Sequence, residues 1–161
     1  RRRATMVDVT GDCGPMVREA CKRGNLAFLQ RIVDENKDAA NLKKQLDDQD
    51  GLGNTAMHYS AQAGHLETLS LLADKGANPN LQNHAGDTAL HKAVAKDFKE
   101  GIRVLCEAGA DANLKNKKNL APLQMVRSQE VRKMIADIAV AQKEAEQYND
   151  DDMICDSDDD F

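Results

Sequence analysis

The sequence predicts an all-α fold in which short helices stack into a solenoid, and two observations lead to this prediction. First, residues 53–83 match residues 86–116 without a gap, so that Gly53 aligns with Gly86 and Asn83 with Asn116. Repeats with a period of about 33 residues are typical of solenoids, whose neighbouring units bury a shared core. Second, aromatic residues make up 3% of the chain and there is no Trp. A core of Leu, Ile, Val, Met and Ala favours stacked helices over a β-sandwich.

The two matching segments are identical at roughly a third of their aligned positions. The identical pairs include Gly53/Gly86, Thr55/Thr88, Ala56/Ala89, His58/His91, Gly76/Gly109, Ala77/Ala110 and Asn80/Asn113. This pattern resembles the ankyrin repeat, G-x-T-P-L-H-x-A followed by a second helix and G-A-x-x-N, which has the same period. One departure is Ala where the consensus has Pro at the helix start, which removes a preset backbone angle. The resemblance implies helix–turn–helix units separated by short β-turn fingers.

Two further units are less regular. Residues 119–126 repeat the first-helix motif one more period along the chain, and this time Pro122 is present. At the other end, residues 20–33 align with the second unit through Gly24 and Gly64, with about seven residues inserted around 34–46. The insertion is expected to form a loop around Asn41. Terminal units of a solenoid are expected to be atypical, because one of their faces has no neighbour.

The repeat register and the hydrophobic spacing predict the helices and the core. The predicted helices are 17–22, 27–34, 56–63, 66–75, 89–96, 99–108, 122–126 and a last one from Gln129 onward. In the last one, Val131, Met134, Ile135 and Ile138 recur at helical spacing, which predicts an amphipathic cap on the fourth unit. The predicted buried set is Leu29, Ile32, Met57, Leu69, Leu72, Leu90, Ile102, Leu105, Leu123 and Ile135.

The charge pattern divides the chain into three parts. We predict a flexible leader (1–14), an ankyrin-repeat domain (15–143) and a disordered acidic tail (144–161). The tail holds nine acidic residues and neither Lys nor Arg. Because the whole chain has 22 basic and 27 acidic residues, the part before the tail carries +4. Such a polar tail cannot bury enough apolar surface to offset the entropy of ordering it.

Several classes of protein are not expected. No apolar run approaches the roughly 20 residues that cross a bilayer, and no apolar stretch follows the basic residues 1–3 as in a signal peptide. The four cysteines are scattered, so we expect reduced thiols and a cytoplasmic or nuclear location. The sequence contains no phosphate-binding loop, nucleophile elbow or paired-cysteine cluster. We therefore expect no enzymatic activity and no cofactor.

His58 and His91 occupy one position of the two regular repeats. The resemblance implies that each holds the turn before its first helix by hydrogen bonds. A metal site built from the four histidines is not expected, because a repeat width separates these two and no Asp or Cys recurs with them. Thr55 and Thr88 are predicted to cap the helices that follow them.

In ankyrin proteins the fingers and the exposed side of the first helices form a concave face that binds partners. By register, the resemblance places these candidates there: Lys22, Arg23, Leu52, Asn54, Tyr59, Gln62, His84, Asp87, Lys92, Lys96, Lys117 and Lys118. Tyr59 is one of two tyrosines and a predicted anchor, since Tyr is enriched among interface hot spots. The basic majority indicates an acidic or mixed-charge partner. A solvated face of ordinary charge is the alternative.

The predicted function is a protein-interaction adaptor that is monomeric before it binds another protein. The alternative is an acidic-tailed chaperone or escort for a basic client, such as a ribosomal protein or a histone. Direct binding of nucleic acid is not expected, because its readers usually present aromatic or groove-entering elements and the tail would repel phosphate.

Two modification sites are considered. Thr5 follows Arg2 and Arg3 and suits a basophilic kinase, and Ser157 precedes three aspartates and suits an acid-directed kinase. Matches this short are common.

Overall fold

The computed structural model describes residues 13–150, so Thr5 and Ser157 lie outside the described residues. This part of the chain contains nine helices and no strand. They are α1 Gly14–Arg23, α2 Leu26–Glu35, α3 Ala39–Leu46, α4 Ala56–Ala63, α5 Leu66–Asp74, α6 Ala89–Ala95, α7 Lys99–Glu107, α8 Pro122–Met125 and α9 Gln129–Asp150. None of these helices is both long enough and apolar enough to span a membrane. The all-α prediction is confirmed.

The helices pack in two rows. The first helices of the four units, α1, α4, α6 and α8, contact one another in that order. The second helices, α2, α5, α7 and finally α9, form the other row, and α2, α5 and α7 each fold back on the first helix before them. Each unit therefore contacts mainly its neighbours, as a solenoid requires.

The core lies between the two rows. All predicted core residues except Leu123 are at most 2% exposed. Leu123 packs against the core but is only half-buried. The reason is its place in α8, beyond which the described residues provide no further first helix to cover it.

The insertion in the first unit is a helix, which corrects the predicted loop around Asn41. The Asp38 side chain begins α3 by accepting a hydrogen bond from the Ala40 N–H at 3.0 Å. Leu42 and Leu46, one helical turn apart, lie on one face of α3 and are buried where it packs against α1.

The last helix is longer than predicted. Val131 and Ile135 are buried, so the predicted amphipathic helix is present, but α9 packs mainly against α7 of the third unit. It therefore takes the place of the second helix of the fourth unit, which corrects the prediction of a cap lying on that unit. The helix then continues past Glu144 to Asp150, through residues predicted to be disordered. The prediction of disorder is therefore wrong for residues 144–150, which are helical. Residues 144–147 are Glu, Ala, Glu and Gln, which have high helix propensity, and they extend a helix that is already nucleated.

Candidate partner-binding site

The three fingers are built alike. They run through residues 50–54, 83–87 and 116–120, and a side-chain oxygen of the first residue fastens each turn. Asp50 Oδ1 accepts the N–H groups of Leu52 and Asn54, both at 2.9 Å. Asn83 Oδ1 and Asn116 Oδ1 accept the corresponding two N–H groups of their own fingers at 2.9 to 3.1 Å. The turns are therefore held by short local bonds, which keeps their tips in fixed positions.

Hydrogen bonds also join each finger to the next. The His84 N–H donates to the Leu52 carbonyl at 2.9 Å, and the Asn83 side-chain amide donates to Asn54 Oδ1 at 2.9 Å. The third and fourth units repeat this arrangement one period further along the chain. The fingers thus form a continuous ladder along one edge of the stack.

Two buried histidines connect the first helices to this ladder. His58 Nδ1 accepts the Thr55 N–H at 3.1 Å, so the proton of this imidazole is on Nε2, which donates to the Asp87 carbonyl at 2.9 Å. His91 makes the same bonds with Thr88 and with the Leu120 carbonyl. The histidines are therefore structural. Among residues 13–150, no group of three or more His, Cys, Asp or Glu side chains is placed to hold a metal ion.

The most prominent side chain on the first helices is Tyr59. Its ring is half-buried, and Lys22 Nζ lies 4.3 Å from the ring centroid, within the range of a cation–π contact. Its hydroxyl donates to Asp50 Oδ2. Burial opposes ionisation of Asp50, but the bonds from Tyr59 and from the N–H groups of Asn54 and Leu52 outweigh it and lower the pKa of the carboxyl. Burial and the bond to Asp50 raise the pKa of Tyr59.

Tyr59 forms one wall of an open depression between α1, α4 and α6. The depression has a volume of about 340 Å³ and is lined by Lys22, Tyr59, Gln62, Ala63 and Lys96. We call it the Tyr59 depression. Four of the predicted binding residues meet here although the sequence separates them by up to two repeats.

Other predicted residues are paired within the chain or lie elsewhere. Lys92 Nζ is 3.1 Å from Asp87 Oδ2 in a largely buried ion pair. Burial opposes ionisation of Asp87, but hydrogen bonds from Asn116 and Lys92 lower its pKa. Arg23 pairs with Glu19 at 2.6 Å and borders a groove between α1 and α2, away from the Tyr59 depression.

The remaining candidates are on the fingers. Leu52, His84, Lys117 and Lys118 are exposed there, with Leu52 at 65%, whereas Asn54 is half-buried and hydrogen-bonded. We call the exposed side of α1, α4 and α6, together with the fingers, the first-helix face.

Three residues that shape this face are missing from the predicted set. They are Asp50, Arg18 and Asp48. Asp50 accepts a hydrogen bond from the Tyr59 hydroxyl, and Arg18 forms an ion pair with the carboxylate of Asp48. A signal for Asp50 was present, since it stands one repeat period before Asn83, in the position that fastens each finger. The contact between Arg18 and Asp48 had no such signal, because it joins the first unit to the segment after its insertion.

The buried thiols are poor candidates for chemistry. Burial raises the pKa of Cys21 and that of Cys106 to about 11 each, with a hydrogen bond to Ser60 acting in the opposite direction on Cys21. These thiols stay protonated near neutral pH, and the thiolate is the nucleophilic form.

A comparison with protein families finds that the model for ankyrin repeats, in three copies, matches residues 17–116. The matched region contains every residue that lines the Tyr59 depression and ends just before Lys117. A search of curated proteins finds no match.

Proposed function

The chain belongs to the ankyrin-repeat family, whose repeats are generic protein-interaction modules, and on this premise we propose that it is a non-enzymatic adaptor that binds a partner protein across its first-helix face. One observation carries the proposal: the Tyr59 depression, in which an aromatic ring is held in place beside exposed polar side chains. Aromatic residues in such settings are typical anchors of protein interfaces, because they offer a large contact area at a small entropic cost.

The opposite side of the stack is less suited to this role. The groove between α7 and α9 is bordered by charges of both signs, and several of them pair within the chain: Arg103 with Glu107 at 3.0 Å, and Glu130 with Lys99 at 2.9 Å. A partner that bound there would meet exposed ion pairs and charges of both signs, whereas the Tyr59 depression offers two lysines, Lys22 and Lys96, that take part in no ion pair within residues 13–150.

The test places a photo-cross-linking amino acid at Gln62, which is exposed in the depression, and in a second variant at Arg103, which is exposed on the second row. Irradiation in cells that express each variant, followed by mass spectrometry, identifies the proteins attached. We expect a defined partner protein to be attached from Gln62 and not from Arg103. A partner protein that is attached from Arg103 and not from Gln62 would contradict the proposal.

A second candidate is the escort of a basic client, which the nine acidic residues from Glu144 onward favour. A variant that ends at Asp150 separates the two functions. An adaptor that uses the first-helix face keeps its partner after this truncation, whereas an escort that masks the client's charge loses much of its binding. Loss of the partner in this truncated variant would favour the escort.

A further inference from the structure

We propose that the Tyr59 depression recognises a carboxylate side chain within an acidic segment of the partner protein. This inference rests on the proposed function and gives it a chemistry. It follows from which cations around the depression are neutralised by the chain itself and which are not.

Most of the charges near the depression have partners. Arg18 contacts Asp48, Lys92 pairs with Asp87, and Asp50 accepts hydrogen bonds from Tyr59 and from its own finger. The two lysines that border the depression are different. Neither Lys22 nor Lys96 pairs with a carboxylate in the part of the chain that the structure describes, and both are exposed.

Lys22 is also held in position. Its ammonium group lies over the Tyr59 ring at 4.3 Å, and the hydroxyl of that ring is fixed by Asp50. An ammonium group has three N–H donors, and its contact with a ring face leaves N–H groups available to bond to an anion. Because the side chain is already ordered by the ring, an incoming anion immobilises less of it on binding.

The rest of the lining suits a carboxylate on an aliphatic stem. Gln62 adds an amide that can donate a hydrogen bond, while Ala63 is small and leaves the space between Lys22 and Lys96 open. In the next repeat the position of Ala63 is taken by Lys96. At this repeat position the small Ala63 therefore leaves the space, and Lys96 adds a second positive charge beside it. Hydrogen bonds from an ammonium group to a carboxylate are stronger than those between neutral groups, so a carboxylate that enters this space is stabilised by each lysine that it reaches.

The experiment titrates the full ¹⁵N-labelled chain with hexaglutamate and follows backbone amide shifts by NMR, with hexaglutamine as the neutral probe. We expect saturable shifts around Lys22, Tyr59, Gln62 and Lys96 with hexaglutamate only. The double variant Lys22→Gln with Lys96→Gln is expected to weaken hexaglutamate binding by about fivefold or more, as removal of two exposed charge contacts implies. A matched control, Lys44→Gln with Lys75→Gln, removes the same charge from exposed sites outside the depression.

Equal weakening in both double variants would overturn the proposal, since it would show a general electrostatic effect without a site. Shifts confined to other residues, or equal binding of the two peptides, would overturn it as well. These failures remain distinguishable from failure of the proposed function. A partner cross-linked from Gln62 but indifferent to Lys22→Gln and Lys96→Gln would keep the first-helix face as interface and reject the acidic ligand.

Discussion

At the scale of a single residue, His58 forms hydrogen bonds through both of its ring nitrogens. Nδ1 bonds to the N–H and the hydroxyl of Thr55, and Nε2 donates to the Asp87 carbonyl of the next finger. The arrangement needs a neutral imidazole, because Nδ1 must accept a hydrogen bond. Burial, the largest effect, and the nearby Lys92 accordingly lower the pKa of His58, although the bond to the Asp87 carbonyl acts against them.

Stability is predicted to fall when the medium is made mildly acidic. Since the pKa of His58 is lowered in the folded chain, the unfolded chain takes up a proton first, at a pH near 6.5, and stability is lost as the pH falls below that value. Urea unfolding at pH 7 and pH 5.5 is expected to show a loss of up to about 1 kcal/mol from this group. His58→Gln should be less stable at pH 7 and have a flatter pH dependence. The pH range of this measurement lies above the range in which aspartates ordinarily titrate, so that they contribute little to the change. Equal slopes for the two proteins would contradict this account of the pH dependence.

Close packing of the fingers explains why one finger position is Gly in the third unit and Asn in the fourth. Gly86 has φ of +77°, and a Cβ there would lie 2.7 Å from the backbone nitrogen of Lys117 in the next finger. The same position in the last finger is Asn119, also at positive φ. No further finger follows it in the described chain, so a side chain is tolerated.

This difference predicts an order of stabilities. Gly64→Ala introduces a side chain at φ of +79° into open space and should cost about 1–2 kcal/mol through backbone strain alone. Gly86→Ala should cost at least about 1 kcal/mol more, because the Cβ also displaces the next finger. Asp97, at φ of +53°, takes the place of Gly64 in the next repeat, and Asp97→Gly should cost nothing. Thermal or urea unfolding measures the series, and similar losses for the two alanine variants would show that the fingers are not closely packed.

Much of the candidate site could be predicted at this scale, but the pairing of its charges could not. Tyr59 and Lys96 lie on the face expected from the register, because register alone fixes which side of a helix a residue occupies. Lys92 lies on the same face, yet it pairs with Asp87, and this depends on the exact fold of a finger. The lysine that contacts Tyr59 belongs to a different unit of the stack. A repeat pattern cannot predict a contact that only one unit makes.

At the scale of elements, the regular units were the predictable ones. The boundaries of α4 and the start of α6 follow from the repeat period, because each has a counterpart in the neighbouring unit. The helix α3 has no counterpart, so register gave no information about it. Its local signals, a capping Asp38 and two leucines one helical turn apart, are short and occur equally in loops.

Packing between the units predicts a large effect of a core truncation. Leu72 in α5 is 1% exposed and Leu71 beside it is only half-buried. Leu72→Ala should therefore leave a cavity and lower the free energy of unfolding by about 2–5 kcal/mol, with a smaller loss for Leu71→Ala. Urea denaturation followed by circular dichroism measures both. A loss below about half a kcal/mol for Leu72→Ala would mean that the second row of helices is not packed as described.

At the scale of the whole molecule, the solenoid brings residues from three units together on one face. Lys22, Tyr59 and Lys96 come from the first, second and third units, yet they border a single depression. No unit has this site by itself. The function that we propose is therefore a property of the stack, and it depends on the finger ladder and the two histidines that fix the spacing of the units.

The most direct test of the central claim, that the first-helix face binds the partner, is the Kd of the partner cross-linked from Gln62, measured by titration calorimetry. Tyr59→Ala should weaken binding by at least about fivefold, which corresponds to about 1 kcal/mol. Tyr59→Phe retains the ring over which Lys22 lies and should weaken it less, and Arg103→Ala on the second row should leave it unchanged. Circular dichroism melts confirm that each variant is folded. A Kd that is unchanged in Tyr59→Ala but raised in Arg103→Ala would contradict the claim and place the interface on the second row.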